Sequence, residues 1–230
     1  MESVKLYVGY DPRESVGLHV FLQSVLDQSS LPVEIVALTP RVCEPLIGAS
    51  GGTNSFTKAR FLVPYLCGYK GHAIFADGSD MLMRGDIAEL WHLKSHWRAL
   101  QRVAHDYTTK HPRKYLGTPL EAPNEDYPRK NQSSVMVWNC AHYANRILTP
   151  EFVRARTGAE LHRFAWLTED RWLGELSGAW NHLVGECEPN SAAKLAHYTL
   201  GIPGFTHYEH AEFAGEWRSA LGKTTAGLLQ

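Results

Sequence analysis

The stretch His72-Ala-Ile-Phe-Ala-Asp-Gly-Ser-Asp-Met-Leu-Met-Arg-Gly-Asp-Ile-Ala-Glu-Leu90 decides the fold. Its apolar run Ala73–Ala76 stops at Asp77-Gly78-Ser79-Asp80, and a second apolar group, Met81–Met83, comes directly after. A short apolar run bounded by Gly and Ser reads as a buried strand. Two carboxylates where such a strand leaves a sheet are costly to desolvate unless a cation, hydrogen bonds or water compensates them. A hard divalent ion is one solution, because Mg²⁺ and Mn²⁺ prefer carboxylate oxygens and leave positions open for phosphate. The other is a turn, with Asp77 capping Gly78-Ser79 and Asp80 capping the segment that begins at Met81. These residues alone leave both readings open.

Outward from that stretch the chain alternates strand and helix patterns. Lys5–Tyr10 reads as a first strand, broken by Asp11-Pro12-Arg13-Glu14. Gly17–Asp27 has helical spacing, and Val33–Leu38 is a second strand. Arg41–Thr53, with Pro45, Gly48, Gly51 and Gly52, reads as a loop or short helix. Ser55 is the expected N-cap of a helix running to Leu66. Leu100–His105 and Ser134–Asn139 are further strands, separated by a polar excursion, His111–Gln132, expected to pass over the sheet. Helices are expected near Pro150–Arg156, Glu160–Phe164 and Glu209–Leu221, with a short strand near Lys194–His197. The order predicts one α/β domain over residues 1–230, a mostly parallel central sheet flanked by helices. Ligands of such sheets gather beyond the carboxyl ends of the strands. On this reading Asp77, Asp80, Tyr10 and Asn139 share one rim.

The bulk composition narrows the function classes. A chain of 230 residues, 44% hydrophobic and 20% charged, is ordinary for a globular protein. A net charge of −1 counts against bulk nucleic acid as a partner. No apolar stretch reaches the roughly 18–20 residues of a membrane span, and the start carries no secretory apolar region. Cys43, Cys67, Cys140 and Cys187 are scattered without a CxxC pair, as expected of reduced core thiols in a cytoplasmic protein.

Several segments, in order, resemble the glycogenin-like (family 8) glycosyltransferases and their bacterial and phage relatives, which use a nucleotide-diphosphate sugar on a GT-A fold. Leu6-Tyr7-Val8-Gly9-Tyr10-Asp11 resembles their first strand, which implies nucleotide contacts at Tyr7, Gly9 and Tyr10. Ser55-Phe-Thr-Lys-Ala-Arg-Phe61 resembles the helix that sends a cation, here Lys58 or Arg60, toward the donor. Ile74–Ile87 is similar to their strand, metal motif and G-D-I tail, and Ser133–Asn139 to a later strand. His197-Tyr-Thr-Leu-Gly201 resembles the late segment that gives a histidine to the metal and a glycine to the donor. The resemblance implies a GT-A type fold, a Mn²⁺ (or Mg²⁺) ion on Asp77, Asp80 and His197, a UDP-sugar donor, a carbohydrate or glycoconjugate acceptor and retained stereochemistry.

Three departures qualify it. The family spacing is Asp-x-Asp, whereas Asp77-x-x-Asp80 is one residue longer. Residues three apart do not share a strand face, so Gly78-Ser79 must turn or bulge for both carboxylates to reach one ion. Asp80 is the stronger ligand, with Asp77 binding the ion directly, through water, or holding ribose instead. Gln132-Ser133-Ser134 replaces Asn-Ser-Gly, which leaves the sugar contact to Asn131 or Gln132. A lysine expected beyond the late histidine is missing, leaving Lys58, Arg60 or Lys130 to supply its charge.

The chemistry these residues would perform is sugar transfer with a departing diphosphate. A divalent ion acts there as Lewis acid and template, and Arg60 adds an always-ionised phosphate donor. Glu169 and Asp170 fall where the family faces the reacting sugar with acidic groups, although Thr168-Glu169-Asp170 also reads as a helix start. Two further readings stand beside this one: a non-catalytic nucleotide- or sugar-binding relative, and a nucleotidyltransferase, for which Asp11–Glu14 is a poor phosphate loop.

Overall fold

The computed structural model describes residues 2–49 and 54–226. A six-stranded sheet forms its centre, built from β1 (Val4–Gly9), β2 (Val33–Leu38), β3 (His72–Ala76), β5 (Leu100–Val103), β8 (Val135–Asn139) and β9 (Leu173–Leu176). The strand order is β2-β1-β3-β8-β5-β9. All pairs are parallel except those of β8, which runs against both β3 and β5. The sheet is therefore mostly parallel, as expected, with one reversed strand near its middle.

Both faces of the sheet's centre are covered, so β1, β3 and β8 run apolar and buried over Leu6–Val8, Ala73–Ala76 and Val135–Trp138. Tyr7, Phe75, Met136 and Trp138 point into one cluster. It includes residues of α2 (Pro40–Ile47), α5 (Pro150–Ala155) and α6 (Gly158–His162). Their neighbours Leu6, Val8, Ile74, Val135 and Val137 point into the other. There they meet α1 (Ser15–Gln28) and α4 (Ile87–His92). The period-two alternation divides one strand between two cores, which is how a doubly covered sheet loses its polar face. Asp86 accepts from Ala88 N and caps α4.

A smaller sheet sits at the rim. β4 (Met81–Met83) pairs antiparallel with β11 (Leu195–His197), which pairs parallel with β10 (His182–Leu183). His197 stands opposite Met81, and Tyr198 N donates to the Asp80 carbonyl at 2.7 Å. This register is what carries His197 to Asp80 across the chain. Helix α7 (Ala214–Thr225) packs on the same side, with Trp217 buried against Val20 and Leu82.

Several expectations are corrected. The helix foreseen over Ser55–Leu66 is broken into turns, a 3-10 segment at Ala59–Leu62, and one turn of helix, α3 (Val63–Leu66). Pro64 has no N–H to return to the Arg60 carbonyl, so a continuous helix cannot pass. Ser55 caps nothing; its hydroxyl donates to the Tyr10 carbonyl and its N–H to Asp11, fastening this loop to the end of β1. Arg41–Thr53 opens as the short helix α2, and its residues 50–53 lie outside those described. Asn139 pairs with His72 at the start of β3, so it lies at the opposite end of the sheet from Asp77 and not on the shared rim. The excursion 111–132, expected to pass over the sheet, crosses its carboxyl rim and carries a two-stranded ribbon, β6 (Arg113–Lys114) and β7 (Ala122–Pro123). All four cysteines are free.

Candidate active site

Asp77 leaves β3 where its backbone N–H still donates to the carbonyl of Ser134, the residue before β8. Gly78 then takes a left-handed φ of 84°, open to glycine without strain, and Met81 N closes the turn on Gly78 O at 3.1 Å. The reversal turns both carboxylates to one side. Gly17 of α1 lets the turn settle, because a Cβ there would collide with the Ser79 carbonyl. Ligand atoms of Asp77, Asp80 and His197 consequently all lie within 4.8 Å of one another.

The environment of each group is set by its partners. Arg60 Nη1 reaches Asp77 Oδ1 at 2.6 Å as an ion pair and donates to Ser133 O at 3.0 Å. Burial raises the Asp77 carboxyl to about 6, Arg60 pulling the other way and Asp80 adding to the rise. Burial also opposes ionisation of Asp80, but the charge and hydrogen bond of His197 hold its carboxyl below the usual range. Asp80 Oδ2 lies 3.2 Å from His197 Nε2, while Asp80 Oδ1 is buried with no hydrogen-bond partner.

Asn181 sets the histidine. Its Nδ2 donates to Asn131 O and to Ser134 Oγ, both at 3.0 Å, which uses both amide hydrogens. Its Oδ1 must then accept from His197 Nδ1–H, 2.9 Å away. Nε2 is left facing the carboxylates, the orientation a metal-ligating imidazole takes when its other nitrogen is held.

The group stands in a cleft of about 340 Å³ with a polar lining that includes Glu14, Arg60, Lys114, Tyr115 and Asn131. The Tyr115 hydroxyl lies 3.4 Å from Asp80 Oδ2 and also faces Glu14. Burial raises Glu14 to about 8, with Asp80 and Asp11 adding to the rise and Tyr115 countering it. A buried oxygen without a partner, a second oxygen held only by Arg60, and one oriented imidazole nitrogen suit a divalent ion. The mixed oxygen and nitrogen set suits Mn²⁺ better than Mg²⁺.

Not every expected residue joins them. Asp77, Asp80, His197, Arg60 and Asn131 converge on the cleft. Gln132 is buried beside it, its Nε2 donating to His105 O at 2.8 Å. Tyr7 lies in the core on the other face, with its hydroxyl accepting from Cys67 Sγ at 3.3 Å. Gly9 lies under the Phe56 ring, and Tyr10 packs against the α1-side core. Lys58 donates to the Arg154 carbonyl at 3.2 Å, outside the cleft lining. Gly201 lines a separate groove beside Tyr208. Glu169 and Asp170 precede β9, whose first residue pairs with Leu100 at the start of β5. That is the amino end of the parallel strands, away from Asp77, and neither residue lines the cleft. Asp170 opens a 3-10 turn there, the helix-start role its sequence context allowed.

The site also draws on Glu14, Lys114, Tyr115 and Asn181, which no sequence motif marks, and on Thr199 from within the late His197–Gly201 segment.

No protein-family profile matches the sequence. Protein CDI of Arabidopsis thaliana is 40% identical over 227 residues, covering 94% of this chain and 85% of that protein. Among solved structures, the apo bifunctional glycosyltransferase WbbM aligns with a TM-score of 0.65 at 14% identity, over 95% of this chain and 49% of its own. The chain thus spans about half the length of that enzyme. The galactosyltransferase LgtC with donor and acceptor sugar analogues aligns at 0.57 and 12% identity, over 96% of both chains. Mouse xyloside xylosyltransferase 1 aligns at 0.56 and 14%, over 88% of this chain and 100% of that one. At these identities the likeness is one of fold, and the fold is GT-A.

Proposed function

This chain belongs to the family of Protein CDI, and we propose that it is a metal-dependent glycosyltransferase. In this reading one cytoplasmic GT-A domain, residues 1–230, moves a sugar from a UDP-sugar to a carbohydrate or glycoconjugate acceptor with retention. The observation that carries it is the Asp77, Asp80 and His197 cluster at the carboxyl rim of a GT-A sheet.

The three side chains would hold Mn²⁺, which supplies a Lewis acid for the charge that builds on the departing diphosphate. The protein's own residues prepare the place. Arg60 keeps Asp77 aimed inward and compensates its charge. Asn181 fixes the His197 ring so that Nε2 faces the carboxylates. Tyr115 and Glu14 wall the cleft above Asp80, and Asn131 offers amide groups to sugar hydroxyls.

Turnover tests the reading. Purified protein with Mn²⁺ and a panel of UDP-sugars should release UDP, faster once a suitable acceptor is present. Asp80→Asn should lower that rate at least a hundredfold. Tight UDP binding without release of UDP from any donor would replace the enzyme with a non-catalytic binding protein.

A further inference from the structure

Among the described residues, three Lys or Arg side chains line the cleft: Arg13, Arg60 and Lys114. Arg60 is committed to Asp77 and the Ser133 carbonyl, and Arg13 to Asp11 at 2.7 Å. The Lys114 ammonium makes no ion pair or hydrogen bond among the described residues and rests 5.6 Å from the centre of the Tyr115 ring. Its charge acts on both Asp77 and Asp80, favouring their ionised forms.

Its position is set by backbone, not by the side chain. The β6–β7 ribbon is fastened where Tyr115 N donates to Leu200 O at 2.6 Å and Leu116 N to the Tyr208 hydroxyl at 3.0 Å. Lys114 lines both the cleft over Asp77 and Asp80 and an adjoining hollow of about 340 Å³ bounded by Asn124, Tyr127 and Lys130. Thr199 lines both as well, and its Oγ1 is buried without a partner. A free ammonium and a free hydroxyl therefore stand together where two hollows meet, beside the carboxylate pair.

A nucleotide-sugar has that shape: two bulky ends joined by a diphosphate. A divalent ion held by Asp77 and Asp80 has its charge largely met by those carboxylates, so the two negative charges of a donor diphosphate, three once it departs, still call for a cation. We propose that Lys114, with the Thr199 hydroxyl beside it, binds the diphosphate of the donor from the ribbon that crosses the rim. This rests on the nucleotide-sugar reading of the site and adds the residue that supplies the positive charge. The role is binding and positioning, so its loss should appear in KM more than in kcat.

The test is calorimetric titration of UDP, and separately of inorganic pyrophosphate, each with Mn²⁺, into wild type, Lys114→Met, Lys114→Arg and Thr199→Val. Pyrophosphate reads the diphosphate site whatever base the protein prefers. Lys114→Met keeps an apolar stem over Tyr115 and should weaken both probes at least tenfold at unchanged ligand-free Tm, while Lys114→Arg stays within threefold of wild type. Lys70→Met, an exposed lysine elsewhere, should change neither. Should Lys114→Met fail to fold, Lys114→Gln takes its place. Wild-type affinity for both probes in the folded neutral variant overturns the role of Lys114 and leaves the enzyme reading standing. Failure of wild type to bind either probe overturns the reading beneath it.

Discussion

Replacing Asn181 with leucine isolates the hydrogen bond that orients His197. Leucine nearly conserves the shape, so the change removes polar contacts and leaves little cavity. Of the three partners, Ser134 Oγ and Asn131 O keep the bond between them, 2.6 Å long. His197 Nδ1 keeps nothing. One unsatisfied buried donor costs about 1–3 kcal/mol, and at roughly 2–4 °C per kcal/mol for a chain of this size Tm should fall by about 2–12 °C. The larger consequence is for the metal site. A ring free to turn or change tautomer binds about 10–100-fold more weakly, a loss of about 1.4–2.7 kcal/mol. Thermal unfolding in EDTA and across a Mn²⁺ titration separates the two effects. Ser134→Ala removes another bond of the same amide but leaves His197 its partner, so it should keep Mn²⁺ affinity within threefold. Wild-type Mn²⁺ affinity in folded Asn181→Leu would refute the argument that Asn181 orients the ligand.

Other consequences are equally direct. Burial depresses His162 to about 3 and His105 to about 4, with Arg60 and His197 respectively adding to the fall. Both are neutral in the fold and charge more readily when unfolded, so their stabilisation is complete above about pH 6.5 and lost below it. Between pH 6.5 and 5 the pair should cost roughly 3 kcal/mol; His162→Phe should flatten that slope in chemical denaturation, and an unchanged slope sinks the assignment. Arg60→Met strands the Asp77 carboxylate and should cost about 3–5 kcal/mol, much of it recovered in Arg60→Met/Asp77→Asn. Strictly additive effects in urea melts would show the pair does not interact. Gly17→Ala pushes a methyl group against the Ser79 carbonyl and should cost about 1–3 kcal/mol. It should also weaken Mn²⁺ binding by displacing the acidic turn, and a neutral result would contradict the close approach.

What the sequence makes legible is what local pattern encodes. Val33–Leu38 has the same limits in pattern and in structure, and β1, β3 and β11 agree within two residues. Strand direction is not local. An apolar run looks the same either way up, so Ser134–Asn139 shows a strand but not its reversal, and pattern alone assigns Asn139 to the wrong rim. Glu169 and Asp170 are aimed at the reacting sugar by the resemblance alone, whereas β9, a strand the pattern does not show, runs parallel to β5 and sets them at the amino end. The Asp77, Asp80 and His197 cluster is legible because the two aspartates sit at a strand exit and the late histidine segment has a recognisable form. Asn181 and Lys114 are not, because their roles arise only when β10 and the β6–β7 ribbon are folded across the rim. Pro64, by contrast, does encode the broken helix, against the helical spacing of the residues around it.

The most direct test of the whole account is calorimetric titration of UDP into wild type and Asp80→Ala, each with Mn²⁺ or with EDTA. The account predicts binding by wild type in Mn²⁺, its loss in EDTA, and its loss in Asp80→Ala at a ligand-free Tm close to wild type. UDP binding that survives EDTA or the substitution, or no binding by wild type under any condition, would contradict it.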